Sequence, residues 1–201
     1  MDQLRLNHTN IKIVYYTHPL CPVSWRMQKD WQQFISVFGQ FLSFRFCMSA
    51  PALNVPDVSL DNNTKLPATN ACQAVKAASL QSQWAADTFL DALRKAAMQD
   101  ERDVSQMDVL VEIAREISRN HRQIFDLQRF GMDLNSRYTR RAIQDDLLKI
   151  RINKVDRFPT ITFTVDGKGI KVTGYNSFDQ LASIFRKLSA QSNKDSRSPV
   201  Y

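Results

Sequence analysis

The sequence predicts an α/β protein in which a strand–helix–strand unit and a strand–strand–helix unit flank a block of helices. Two observations carry this. The apolar period is two near both ends of the chain and 3.6 in the middle, from about residue 71 to 154. The first two strands are separated by a helix of about 17 residues, a crossover that makes them parallel.

IleLysIleValTyrTyr at 11–16 is β-branched and aromatic and reads as a buried strand, stopped by ThrHisProLeuCysPro. From Cys21 to about Phe38 the pattern is helical, with Trp31, Phe34, Ile35 and Phe38 on one face and Gly39 as a C-terminal stop. PheLeuSerPheArgPheCys at 41–47 is the second strand, expected to be central in the sheet and to end in Cys47. Residues 49–68 carry Pro51, Pro56 and Pro67 and read as an irregular loop. Four or five helices follow. Ala85, Phe89, Leu93 and Ala96 share one face, and Met107, Leu110, Val111, Ala114 and Ile117 share another. Ser105 and Asp108 are placed as a capping box, and Ser136 as the cap of a last, basic helix. Ile161, Phe163 and Val165 restore the period of two. AspGlyLysGly at 166–169 is a turn, and Ile170 and Val172 lie on the return strand. Asn176 or Ser177 would cap a final helix whose apolar side is Phe178, Leu181, Ile184, Phe185 and Leu188. The expected organisation is a core of 11–48 and 155–190, a helical insertion at 70–154 and a flexible tail at 191–201.

The composition suits one globular domain with an insertion. The chain has 201 residues, of which 43% are hydrophobic and 23% charged, and this excludes a disordered chain. No apolar run approaches the ~18 residues of a membrane helix. MetAspGlnLeuArgLeuAsnHisThrAsn has no apolar secretory core, and three cysteines, an odd count, suit a reducing compartment. The expected location is the cytoplasm, with no membrane partner. The net charge is +7. The densest basic stretch, Arg137 to Lys154, is interrupted by Asp145 and Asp146 and reads as a solvated helix face, so no nucleic-acid partner is expected. Cys21, Cys47 and Cys72 are scattered, and His8, His18 and His121 show no ligand spacing, so no metal site is expected.

Two short motifs carry chemistry. CysProValSer at 21–24 sits where a strand hands over to a helix. Free backbone N–H groups and the positive end of the helix favour a thiolate there, and Pro22 fits the first helical position. A protonated His18, three residues upstream, would add to this. Ser24 occupies the place of the resolving cysteine in a CxxC motif. It cannot form an internal disulfide but would donate a hydrogen bond to a thiolate, so chemistry at Cys21 is monothiol or borrows a thiol from elsewhere. Cys21 also reads as a small apolar filler. ArgPheProThr at 157–160 opens the third strand, where a proline is tolerated in the trans or the cis form. Trp25, Trp31 and Trp84 are candidates for a substrate groove. Trp25 follows the motif directly, whereas Trp31 has core spacing. Cys72 reads either as a thiol that resolves a mixed disulfide or as a buried small residue, and Cys47 as simple core.

The segments CysProValSerTrp at 21–25, AlaCysGlnAlaValLysAlaAla at 71–78, ArgPheProThrIleThrPhe at 157–163 and GlyIleLysValThrGlyTyr at 169–175 resemble the DsbA-like thioredoxin-fold family, in its cytoplasmic, bacterial FrnE-like branch. The likeness covers most of 11–188. It implies a thioredoxin fold, β-α-β … β-β-α, with an all-helical insertion between the second and third strands. It implies Cys21 as the nucleophilic position and Pro159 as a cis-proline facing it, with His18, Pro22, Val23, Trp25, Phe158, Pro159 and Thr160 around the substrate. The activity implied is that of a protein-disulfide oxidoreductase or isomerase. Ser24 departs from that pattern, so the expectation is a monothiol enzyme acting on protein or peptide disulfides. It would have no bound cofactor, with glutathione as co-substrate. One alternative is a non-catalytic adaptor that binds partner proteins through the same groove. Another is a glutathione-dependent transferase or isomerase of the kappa type, whose members carry Ser where this chain has Cys21.

Overall fold

The computed structural model describes residues 11–49 and 67–195. His8, the prolines at 51 and 56 and the last six residues of the expected tail lie outside them. In chain order the elements are β1 (Ile11–Thr17), α1 (Pro22–Arg26), α2 (Gln28–Phe38), a 3₁₀ turn (Gly39–Phe41), β2 (Leu42–Met48), α3 (Pro67–Ser79), α4 (Gln83–Met98), α5 (Met107–Asn120), α6 (Leu127–Leu134), α7 (Arg137–Ile152), β3 (Thr160–Val165), β4 (Lys168–Thr173) and α8 (Phe178–Asp195). The four strands lie in the order β2-β1-β3-β4. β1 runs parallel to β2 and antiparallel to β3, and β3 and β4 form a hairpin. This is a thioredoxin fold whose second and third strands are separated, among the described residues, by five helices.

Trp31 joins the two parts. Its ring lies 5.0 Å from Tyr15, 5.9 Å from Phe34, 5.6 Å from Phe44 and 5.9 Å from Phe46. Its indole N–H reaches out of this aromatic core to Asp87 of α4 at 2.8 Å. A buried indole wants both an apolar bed and a polar partner, and this position supplies both. On the opposite sheet face a smaller cluster gathers Tyr16, Cys47 and Val155, with Val14, Ile150 and Phe158 against it.

β2 is an edge strand, not a central one. An open strand edge would expose unpaired backbone groups. Here side chains of the helical insertion satisfy them. Gln83 accepts from Phe44 N at 2.9 Å, Lys76 Nζ donates to Phe46 O at 3.1 Å, and Asp146 accepts from Met48 N at 2.8 Å. Lys76 and Asp146 also form a buried ion pair of 2.8 Å.

Several local expectations shift. The helix after Cys21 is broken at Met27, whose sulfur accepts from Asn176 N at 3.2 Å. Gly39 has ordinary right-handed helical angles and does not end the helix through positive φ. Its small size matters instead, because a Cβ there would run into the Trp84 ring. α5 is capped at Gln106 without a side-chain bond, so no box forms between Ser105 and Asp108. Asp103 takes over, accepting from Ser105 N at 3.0 Å and Gln106 Nε2 at 3.1 Å. Ser136 caps α7 through Thr139 N at 3.1 Å, and Ser177 opens α8 by exchanging bonds with Gln180. The β3–β4 turn shrinks to Asp166 and Gly167, both at positive φ, which matches the twist of a two-residue hairpin. α8 continues to Asp195, into the stretch expected to be a tail from residue 191. No proline interrupts 191–195, and Ser192 donates to Asp166 at 2.8 Å. Among the described residues no helix is long and apolar enough to cross a membrane.

Candidate functional site

β1 ends at Thr17, and a three-residue turn delivers Cys21 to the N-cap of α1 in an extended conformation, with Pro22 as the first helical residue. Cys21 N donates to His18 O at 3.1 Å, and its carbonyl accepts from Trp25 N at 2.9 Å. Cys21 is half-exposed, and its sulfur lies 3.8 Å from the carbonyl oxygen of Phe158. That carbonyl precedes Pro159, and the Phe158–Pro159 bond is cis. Pro159 is buried and its carbonyl accepts from Gly174 N at 2.7 Å. Thr160, also buried, donates to Arg157 O at 2.7 Å and pairs with the Thr173 hydroxyl at 3.0 Å. The β3 start and the β4 end are thereby tied together beside the thiol. Pro22 is exposed, and Val23, Trp25 and Phe158 are half-buried.

A polar network lies behind the motif. Ser24 is fully buried, and its hydroxyl pairs with Thr17 Oγ1 at 2.8 Å rather than with Cys21. Arg94 of α4, itself fully buried, donates to Thr17 Oγ1 at 2.7 Å, to Gln28 Oε1 at 2.5 Å and to Pro19 O at 3.3 Å. Its guanidinium also lies 5.8 Å from the Tyr15 ring centre. The expected hydrogen bond from Ser24 to a thiolate is therefore absent, because the hydroxyl is held by the neighbouring strand end. A protonated His18 is also overturned. Its Nδ1 accepts from Leu20 N at 3.1 Å, which requires a bare nitrogen. Burial, and then the charge of Arg94, hold the imidazole below its ordinary pKa.

Neither remaining thiol is presented to the surface. Cys72 is 1% exposed, donates to Ser49 O at 3.6 Å, and burial pushes its pKa up to about 12. It is not placed as an accessible resolving thiol. Cys47 donates to Asp146 O at 3.3 Å, and burial, then the Asp146 charge, push its pKa up strongly. All three cysteines are free. Among the described residues no group of His, Cys, Asp and Glu could hold a metal. Trp31 is core, and Trp84 packs on Phe44 at 5.1 Å.

Arg94, Thr17 and Gln28 were not singled out from the sequence, although a signal existed. Asp87 and Arg94 fall on the buried face of α4, among Leu90 and Leu93. A charge on a core-facing helix position is costly unless something pairs it. On the rim, Arg26 lies over the Tyr175 ring at 5.2 Å, and the Tyr175 hydroxyl donates to Asp30 at 2.9 Å.

Asp87 gives a pH signature. Burial raises its pKa from 3.8 to about 6, against the lowering effect of bonds from Trp31 and Gln32. The folded state therefore holds this proton more tightly than the unfolded chain. The favourable contribution is complete below about pH 4 and is lost as pH rises through about 6. Asp87→Asn keeps an acceptor for Trp31 and removes the ionisation. We expect the variant to be more stable than the parent at pH 8 by about 1–2 kcal/mol, with no gain at pH 4. Thermal unfolding at the two pH values checks this, and an equal loss at both would refute it.

Comparison with known proteins agrees with this geometry. A family model described as Thioredoxin matches residues 15–183. The ClpXP adapter protein SpxH of Bacillus licheniformis is 27% identical over 217 residues, covering 94% of this chain and 70% of that protein. In fold the chain is similar to a candidate protein disulfide isomerase from Nitrosomonas europaea, with a TM-score of 0.72, 16% identity and coverage of 90% and 98% of the two chains. It is also similar to the cytosolic disulfide reductase DsbM from Pseudomonas aeruginosa, with a TM-score of 0.62, 15% identity and coverage of 92% and 98%. The chain belongs to the thioredoxin family, and its fold carries a helical insertion between the second and third strands.

Proposed function

We propose that this protein is an adaptor that binds client polypeptides in the groove between Cys21 and Pro159, in the cytoplasm and without a bound cofactor. The observation that carries this reading is that a single thiol is presented at the groove. Ser24 stands in the resolving place with its hydroxyl bound to Thr17, and Cys47 and Cys72 are buried. A dithiol enzyme releases its substrate by attack of a second thiol, which this groove does not offer. The name of the SpxH relatives, adapters of ClpXP, supports the same reading over nearly the whole chain. Half-buried Trp25 and Phe158 supply apolar contact beside the cis Phe158–Pro159 bond.

A second reading rests on the exposure of Cys21. Its thiolate would attack a protein disulfide or oxidised glutathione, forming one new S–S bond and expelling one thiolate. The product is a mixed disulfide that waits for an external thiol. This is monothiol exchange, with glutathione as co-substrate.

Binding of fluorescently labelled, fully reduced and carboxymethylated α-lactalbumin separates the two. It is unfolded and has no thiol or disulfide. The adaptor reading expects wild type and Cys21→Ser to bind alike and Trp25→Ala to bind roughly tenfold more weakly, as for a buried aromatic anchor. No binding by the wild type, together with sustained insulin reduction, would assign an enzyme instead. Faster degradation of the bound polypeptide when the host's ClpXP is added supports the ClpXP partner, and an unchanged rate removes it.

A further inference from the structure

A second surface lies on the helical insertion, at the turn from α5 to α6. There Arg115, Arg119 and Arg122 line a cleft of about 510 Å³ together with Phe125, Leu127 and Gln128. Arg115 and Arg119 lie four apart on α5 and Arg122 follows just beyond its end, all on the side away from the buried residues Ile113, Ala114 and Ile117.

The acids of the same helix do not neutralise them. Glu112 and Glu116 are both engaged by Arg102, at 3.0 and 3.2 Å. Asp126 borders the cleft, but its carboxylate caps α6 through Arg129 N at 3.0 Å. Among the described residues no carboxylate lies within ion-pair distance of Arg115, Arg119 or Arg122. Three guanidinium groups thus face one open cleft, none of them in an ion pair, against the single carboxylate of Asp126, which is engaged at the start of α6.

The cleft is also held in shape. Gln81, in the turn between α3 and α4, donates to Asp126 O and accepts from Asp126 N, both at 2.8 Å. Arg129 Nη2 donates to Leu80 O at 2.8 Å and its Nε pairs with Asp133 at 3.6 Å. Buried Phe125 stacks on Phe89 at 6.0 Å and lies tilted against Phe130 at 5.3 Å, which fixes the cleft floor. A preformed cleft spends little ordering entropy when it is filled.

We propose that this cleft docks an acidic peptide segment of a partner protein, with two or three carboxylates received by Arg115, Arg119 and Arg122. Guanidinium groups suit carboxylates because their planar fork matches two oxygens at once. A nucleic acid fits less well. The three arginines are gathered in one cleft rather than along a continuous stripe, and its single aromatic residue, Phe125, is buried and offers no stacking face. The surface is separate from the Cys21 groove and does not depend on the function proposed for it.

The test uses the full chain and three labelled decapeptides that alternate Gly with Glu, Gln or Lys, read by fluorescence anisotropy at low and moderate salt. The Glu peptide should bind, more weakly as salt rises, while the Gln and Lys peptides should not. The triple variant Arg115→Ala, Arg119→Ala, Arg122→Ala should lose roughly tenfold or more in affinity, as three partly exposed ion pairs predict. Its thermal unfolding should match the wild type, because the three side chains are exposed. Cys21→Ser should bind the Glu peptide like the wild type, so a failure here is distinct from a failure at the thiol groove. An unchanged affinity in the triple variant would place the binding elsewhere on a chain of net charge +7 and overturn the proposal. Tighter binding of single-stranded DNA, or displacement of the peptide by millimolar inorganic phosphate, would overturn it in favour of a general phosphate site.

Discussion

Replacing Ser24 with cysteine will convert a chain with one groove thiol into one that closes a disulfide at its own motif, and insulin-reducing turnover fuelled by dithiothreitol will rise roughly tenfold or more. Ser24 lies in the first turn of α1, three residues after Cys21. The new thiol would displace Cys21 from a mixed disulfide, releasing the reduced substrate and leaving an internal disulfide for dithiothreitol to reduce. The cost is the bond between Ser24 and Thr17, about 1 kcal/mol, since Thr17 keeps its bond from Arg94. An oxidised variant that forms no internal disulfide, with turnover unchanged from the parent, would show that the groove does not admit the exchange.

Asp146→Ala will cost about 3–5 kcal/mol, among the largest single-residue effects expected outside the aromatic core. The carboxylate receives Lys76 Nζ and Met48 N, both at 2.8 Å, in a pair whose side chains are 8% and 2% exposed. Its removal leaves a buried ammonium and an unpaired backbone N–H, and it releases the β2 edge from α7. The double change Lys76→Met, Asp146→Leu removes both charges and should recover the part of the loss that comes from the unpaired ammonium, while Met48 N–H and Phe46 C=O stay without their side-chain partners. Urea unfolding of both variants checks this. A loss below about 1 kcal/mol for Asp146→Ala would mean that α7 does not depend on the ion pair for its place on β2.

The strands, the turn at Asp166 and Gly167 and the cap at Ser136 were legible because each is written within a few neighbouring residues. The groove was legible for a similar reason. A cysteine before a helix and a proline before a strand each carry a local signal, and the order of elements brings them to the same end of the sheet. What escaped is long-range. Asp146 looked like a break in a basic stretch, yet it holds the edge strand. Arg94 is 70 or more residues from Thr17 and Pro19, and only the fold makes them neighbours. β2, ending in Cys47, was expected to be a central strand. It is apolar at the edge because the insertion covers it. Ser24 was expected to face the Cys21 thiolate and instead pairs with Thr17, and His18 accepts from Leu20 N, since local sequence does not show which hydrogen-bonding groups lie behind a turn.

The most direct measurement is the intact mass of the native protein over time with excess oxidised glutathione, with each cysteine assigned by peptide mapping. The account predicts one glutathione adduct, on Cys21, that persists until a thiol is added, while Cys47 and Cys72 remain free. Loss of the adduct with formation of a Cys21–Cys72 disulfide would contradict it, because the chain would then carry its own resolving thiol and would turn over as an enzyme.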